Sequence, residues 1–191
     1  MLKYLNSFFD EYKEALDSVE REKVNNLYKL LKYARSNNKN IFIMGNGGSA
    51  SNAGHWVCDF NKGSSYKNSL RFRMIALSDN LATCSAIAND FDYRYVFSEQ
   101  LKNLFNEGDI VIGLSVSGNS ENIVEGLKYA KSHYGKTFSL IGGYNGKMKN
   151  YSDDYLVISS KNYGIVEDIH MNIGHLLSQY FKIENENEID E

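Results

Sequence analysis

The chain has 191 residues, 42% hydrophobic and 24% charged, with a formal net charge of −3 and no proline. This balance fits one soluble domain with an adequate core, 1–191, with no linker, and the absence of a basic run or of aromatic-basic alternation argues against a general nucleic-acid binder. Partners are therefore expected to be small molecules or further copies of the chain. The opening MLKYLNSFFDEYKEAL meets Asp10 and Glu11 before a signal-peptide core forms, and no apolar run approaches a membrane span, so no membrane partner and a cytoplasmic location are expected. Cys58 and Cys84 are too few and too far apart for a disulfide framework or a zinc knuckle, and their apolar neighbours predict buried free thiols.

In chain order, Leu2, Leu5, Phe8, Phe9, Tyr12, Ala15 and Leu16 recur at helical spacing and predict an amphipathic helix over 2–19. Val24, Leu27, Leu30, Leu31 and Ala34 predict a second helix ending in the polar turn SNNKN. These N-terminal helices, 1–36, are extra to a minimal α/β unit, and their stripes are expected to cover the domain or pack against another subunit. From Ile41 to Asp59 a short apolar run of strand composition breaks into small polar residues and continues as a helix. Gly45, Gly47 and Gly48 allow close backbone approach to a ligand, Asn46, Ser49 and Ser51 add donors, and the positive end of the following helix favours an anion.

After the loop NKGSSYKNS, RMIALS predicts the second strand, followed by a helix through Ala88 and a polar break at Asn89, Asp90 and Phe91 near the strand ends. A helix is predicted over 95–105, and Gly108 and Asp109 turn the chain into IVIGLS, the third strand. The stretch from Leu114 to Ser120 repeats the anion-suited chemistry with Ser115, Ser117, Gly118, Asn119 and Ser120, ahead of a helix whose apolar face is Ile123, Leu127 and Ala130. TFSLIGG and YLVIS predict the fourth and fifth strands. The last helix, 165–182, is predicted to bury Ile169, Ile173, Leu176, Leu177 and Tyr180, and the acidic tail, 183–191, to fray.

Strands alternating with helices predict a doubly wound α/β fold, a five-stranded parallel sheet covered on both faces. Ligands of such sheets bind at the carboxyl ends of the strands near a topological switch point, where both loops would lie and share one site. No lysine follows the glycines as in a P-loop, and GNGGSA lacks the GxGxxG order, so nucleotide readings are weak.

GNGGSA followed by a helix with His55, then SVSGNSENI and the late VEDIHMNIGHLL, together with SDN at 78–80, AND at 88–90 and GDIVIG at 108–113, resemble the sugar isomerase (SIS) domain family. Within it the resemblance is to the branch that isomerises sedoheptulose 7-phosphate, and it runs from about Lys39 to Phe181. It implies a flavodoxin-like five-stranded sheet, a homotetramer with active sites at subunit interfaces, and an aldose–ketose isomerase supplying a heptose phosphate for lipopolysaccharide or capsule. It further implies that Ser115, Val116, Ser117 and Ser120 cradle the phosphate, and that Asn46, Gly47, Gly48, Asn89 and Asp90 contact the sugar chain. The metal and acid–base set of the family falls on His55, Asp59, Glu167 and His175, with Asp59, Glu167 and His175 catalytic and Asp59 and Glu167 also touching substrate. Asp59 stands where the family has Glu and Glu167 where it has Gln.

His55 and Asp59, at i and i+4, share one helix face, which suits two metal ligands or a carboxylate orienting an imidazole. Glu167 and His175 lie about 12 Å apart along a helix axis, so one site holding both needs long reach or a second subunit. Two histidines and two carboxylates suit zinc or another divalent ion. Either Asp59 or Glu167 can serve as the base. His170 is expected on a helix face or at an interface, His133 at a helix end and Asp168 at the surface, while Arg71, Arg73 and Arg94 read as solvated. Besides the isomerase, an enzyme of another phosphosugar and a non-catalytic sugar-phosphate- or protein-binding module stay open.

Overall fold

The computed structural model describes residues 1–65 and 69–190, with side chains given through Glu186. The middle of the loop NKGSSYKNS, 66–68, and the end of the acidic tail lie outside the described residues. Helices α1 (Leu2–Asp17) and α2 (Arg21–Ser36) precede strand β1 (Ile41–Met44). Helix α3 (Gly48–Cys58) runs directly into a π-helical turn, Asp59–Gly63. Strand β2 (Met74–Ala76) leads to α4 (Leu81–Asp90), a 3-10 turn at Tyr93–Tyr95 and α5 (Ser98–Leu104). Strand β3 (Ile110–Ser115), α6 (Glu121–Ser132), β4 (Lys136–Gly142), a 3-10 turn at Lys147–Asn150, β5 (Asp154–Ile158) and α7 (Tyr163–Asp190) complete the order.

The five strands form one parallel sheet in the order β2-β1-β3-β4-β5, as the alternation of strands and helices predicts. Because the chain steps outward from β1 to β2 and returns to β3 on the other side, the switch point falls between β1 and β3, and the loops after these two strands open side by side. Side chains alternate across the sheet. Ile41, Ile43, Ile110, Ile112, Phe138 and Leu140 face α2, α3 and α7, where Leu27, Leu31, Trp56, Ile169 and Phe181 close the core. Phe42, Met44, Val111 and Ile141 face α5 and α6, against Leu101, Ile123 and Leu127. Full burial of each such side chain contributes about 1.5–3 kcal/mol.

Several expectations change in detail. The helix predicted over 95–105 is split, because Asp92 accepts a bond from the Arg94 N–H at 2.8 Å and starts a 3-10 turn. Leu176 and Tyr180 are half exposed: α7 buries Ile165, Ile169, Ile173, Leu177 and Phe181, which leaves the other two in a groove of about 550 Å³ between α7 and the N-terminal helices. Cys58 is exposed and Cys84 half-buried, since Cys58 sits two residues past the inward Trp56 on the outer face of α3. His170 is fully buried rather than on a helix surface. The acidic stretch is anchored at its start. There Glu184 accepts bonds from Tyr28, Lys32 and Arg35, and Asn185 is buried between Arg35 and the Ser64 carbonyl.

Candidate active site

The serine loop follows β3. Ser115 Oγ lies 3.1 Å from Ser120 Oγ and 3.4 Å from Ser117 Oγ, and it accepts a bond from the Gly118 N–H at 3.1 Å. Gly118 adopts a φ of +64°, the left-handed conformation that glycine takes without strain and that folds the loop back over the hydroxyls. Ser120 is the N-cap of α6 but makes no side-chain capping bond. Its hydroxyl turns to Ser115 instead, and the start of the helix presents the positive end of its dipole to an anion. Val116 is buried, and its carbonyl accepts a bond from the Gly142 N–H at 2.9 Å, which fastens the loop to the end of β4.

The glycine loop after β1 is tied to the serine loop. Asn46 and Asn122 exchange amide bonds of 3.0 and 2.8 Å, and the Tyr93 hydroxyl donates to Asn46 Oδ1 at 2.8 Å. The Asn46 amide is therefore engaged by protein groups, while the exposed backbone of Gly47 and Gly48 faces outward. Asn89 and Asp90 end α4 at the surface, bonded to each other at 2.9 Å. Neither Asn122 nor Tyr93 was singled out from the sequence. Only the chain crossing brings them to Asn46.

Trp56, Ala53 and Asn52 turn α3 against α7. This packing brings His55, Asp59 and His175 together from one face of each helix. His55 Nε2 and His175 Nε2 are 3.2 Å apart, and each is 3.5 Å from one oxygen of Asp59. One ligand atom from each of the three residues lies within 4.8 Å of the others, and imidazole nitrogens with a carboxylate oxygen are donors that zinc takes. Two imidazole nitrogens at this separation repel unless a proton or a cation lies between them. The donor set fits a divalent ion, and it is the one such cluster among the described residues. The side chains of His55 and His175 are about half exposed, at 50% and 42%, so the trio opens to the surface of the protomer.

Glu167 is not brought into this trio. It lies two helical turns from His175 at the N-terminus of α3, where Ser49 Oγ donates to its carboxylate at 3.3 Å and Asn52 donates to its carbonyl at 2.8 Å. A side chain on Gly48 would collide with this carboxylate, and the positive helix end favours the charge. Glu167 thus adjoins the glycine loop and Asp59 the histidines. Of the other candidates, Arg94 pairs with Asp92, Arg73 bonds Asn40, Arg71 and Asp168 are exposed, and His133 caps the end of α6, stacked on Tyr129.

Residues 4–142 match the SIS domain. The chain is 34% identical over 170 residues to a probable phosphoheptose isomerase of Thermoplasma acidophilum, covering 89% of this chain and 93% of that one. It is 36% identical over 166 residues to phosphoheptose isomerase of Helicobacter pylori strain P12, covering 86% and 85%. The structure of a phosphoheptose isomerase from Francisella tularensis is similar with a TM-score of 0.84 at 27% identity, covering 94% of this chain and 97% of that one.

Proposed function

Since this chain belongs to the SIS domain family, among its phosphoheptose isomerases, we propose that it isomerises sedoheptulose 7-phosphate to D-glycero-D-manno-heptose 7-phosphate through an enediol. The observation that carries the reading is the placement of a hydroxyl-lined anion cradle and two separate carboxylates around the same strand ends. Ser115, Ser117, Ser120 and the Val116 backbone hold the phosphate, and the open-chain sugar runs along Gly47 and Gly48, with Asn46, Asn89 and Asp90 at its sides. Asp59 or Glu167 takes the carbon-bound proton, and His175 protonates the neighbouring oxygen or returns the proton. A divalent ion, zinc by the donor set, bound by His55, Asp59 and His175 supplies polarisation of the substrate oxygens. The half-exposed trio supports a site completed in a homotetramer. Phosphorylated heptoses serve surface polysaccharide such as lipopolysaccharide or capsule, and a cytoplasmic location accords with a phosphosugar substrate.

The test is NMR of sedoheptulose 7-phosphate incubated with the protein in deuterated water. Solvent deuterium is expected at C1 of the ketose and C2 of the aldose. If Asp59 is the base, Asp59→Asn stops this exchange and Glu167→Gln tolerates it; the outcomes reverse if the base is Glu167. Full exchange in both variants and in His175→Ala would place the chemistry elsewhere. Binding without any exchange in the unaltered chain would identify a sugar-phosphate-binding module instead.

A further inference from the structure

Asp59 is the first residue of the π-helical turn that continues α3. The wide turn is closed by the bond from the Ser64 N–H to the Asp59 carbonyl at 2.8 Å, and it sends Phe60 into the core. The next side chain, Asn61, has an unusual partner. Its amide donates to the Met74 carbonyl at 2.8 Å and accepts from the Met74 N–H at 3.0 Å, so one side chain pairs with both peptide groups on the free edge of β2. The far end of the turn is fixed as well, because the Ser64 carbonyl accepts a bond from buried Asn185 at 2.8 Å and Asn185 is held by Arg35 at 2.7 Å. The segment from Asp59 to Ser64 is therefore clamped at two points just past the carboxylate that must place one oxygen on each of two imidazoles. Aspartate has a short arm, and a ligand cluster tolerates errors of only about 0.5 Å.

We propose that Asn61 is a positioning residue for the His55–Asp59–His175 cluster: its paired bonds to Met74 set the place of the π-turn and thereby the reach of Asp59. The proposal rests on reading the trio as a cation-binding cluster. A residue that merely closed the edge of β2 would leave that cluster unchanged when removed.

Zinc is titrated into the full-length protein in competition with a chromophoric chelator. Asn61→Ala is expected to weaken zinc binding roughly 10- to 100-fold, as loss of outer supports does at other sites, with inorganic phosphate binding at the serine loop unaltered. Asn26→Ala, which removes a bond between α2 and Asp154 on β5, is the control: it lowers stability and keeps zinc affinity. In a double-mutant cycle, Asp59→Glu costs less zinc affinity in the Asn61→Ala background than alone, because the longer arm absorbs the displacement. Unchanged zinc affinity in Asn61→Ala, or strict additivity in the cycle, overturns the positioning role alone. Failure of the unaltered chain to take up zinc overturns the cluster reading, and the positioning role with it. Should Asn61→Ala not fold, Asn61→Asp is measured by the same criteria, since it keeps the bond from the Met74 N–H and loses the one to the carbonyl.

Discussion

His170 is enclosed by the core beside the Ile141 backbone at the end of β4, and among the described residues neither ring nitrogen finds a hydrogen-bond partner of good geometry. Burial disfavours the imidazolium and pushes its pKa down from 6.5 to about 3. The unfolded chain protonates this residue below pH 6.5 while the folded chain does not, so its contribution is complete above that pH and is lost as pH falls toward 3. The slope is about 1.4 kcal/mol per pH unit. Urea unfolding from pH 7 to pH 4.5 is expected to show this loss, with His170→Phe flattening the profile; a parallel profile in the variant would refute it. At the cradle, hydroxyls donating to a charged phosphate contribute roughly 1.5–3 kcal/mol each. Ser117→Ala is expected to weaken sugar-phosphate binding by about that amount in calorimetric titration without altering the thermal midpoint, and an unchanged affinity would remove Ser117 from the site.

At the scale of elements, α2 and the end of α7 are joined by a polar group inside an apolar wall. The Arg35 side chain is only 3% exposed, ion-paired with Glu184 at 3.0 Å and stacked near Phe181 and Phe72. Lys32 and Tyr28 share the same carboxylate and hold its pKa below the ordinary range against the opposing effect of burial. Removing one partner strands a buried charge. Glu184→Ala is therefore expected to cost about 3 kcal/mol in denaturant unfolding, whereas Arg35→Met with Glu184→Leu costs far less. Equal losses in the single and double variants would show that the ion pair itself, rather than the stranded charge, dominates. The same network reaches Ser64 through Asn185, so weakening it is also expected to loosen the turn after Asp59.

Across the whole molecule, apolar surface is left where one protomer has nothing to cover it. Helix α4, despite its sequence LATCSAIA, buries none of its residues, and α1 buries only Ala15. Leu16, Leu176 and Tyr180 line the open groove between α1, α2 and α7. Exposed apolar patches of this kind mark interaction surfaces, and on α7 the half-exposed His175 directly precedes Leu176. Light scattering is expected to return a homotetramer, and deletion of residues 1–17 to lower assembly and activity together. An active monomer at assay concentration would exclude this arrangement.

The sheet class and both anion-suited loops were legible in the sequence because they depend on local pattern: apolar runs of strand length, glycine where φ is positive, and serines ahead of a helix. His55 and Asp59 could be paired for the same reason, being one turn apart on a single helix. Tertiary structure alone decided the rest. His175 joins them only because α3 packs on α7, and Glu167 parts from them because eight helical residues span about 12 Å. Asn46 proves engaged by Asn122 and Tyr93, and Asn61 by an edge strand, through contacts between segments 13–76 positions apart. Periodicity marks which face of a helix turns inward. Which distant side chain meets it there depends on how the sheet orders its strands and on the angles at which the helices cross them.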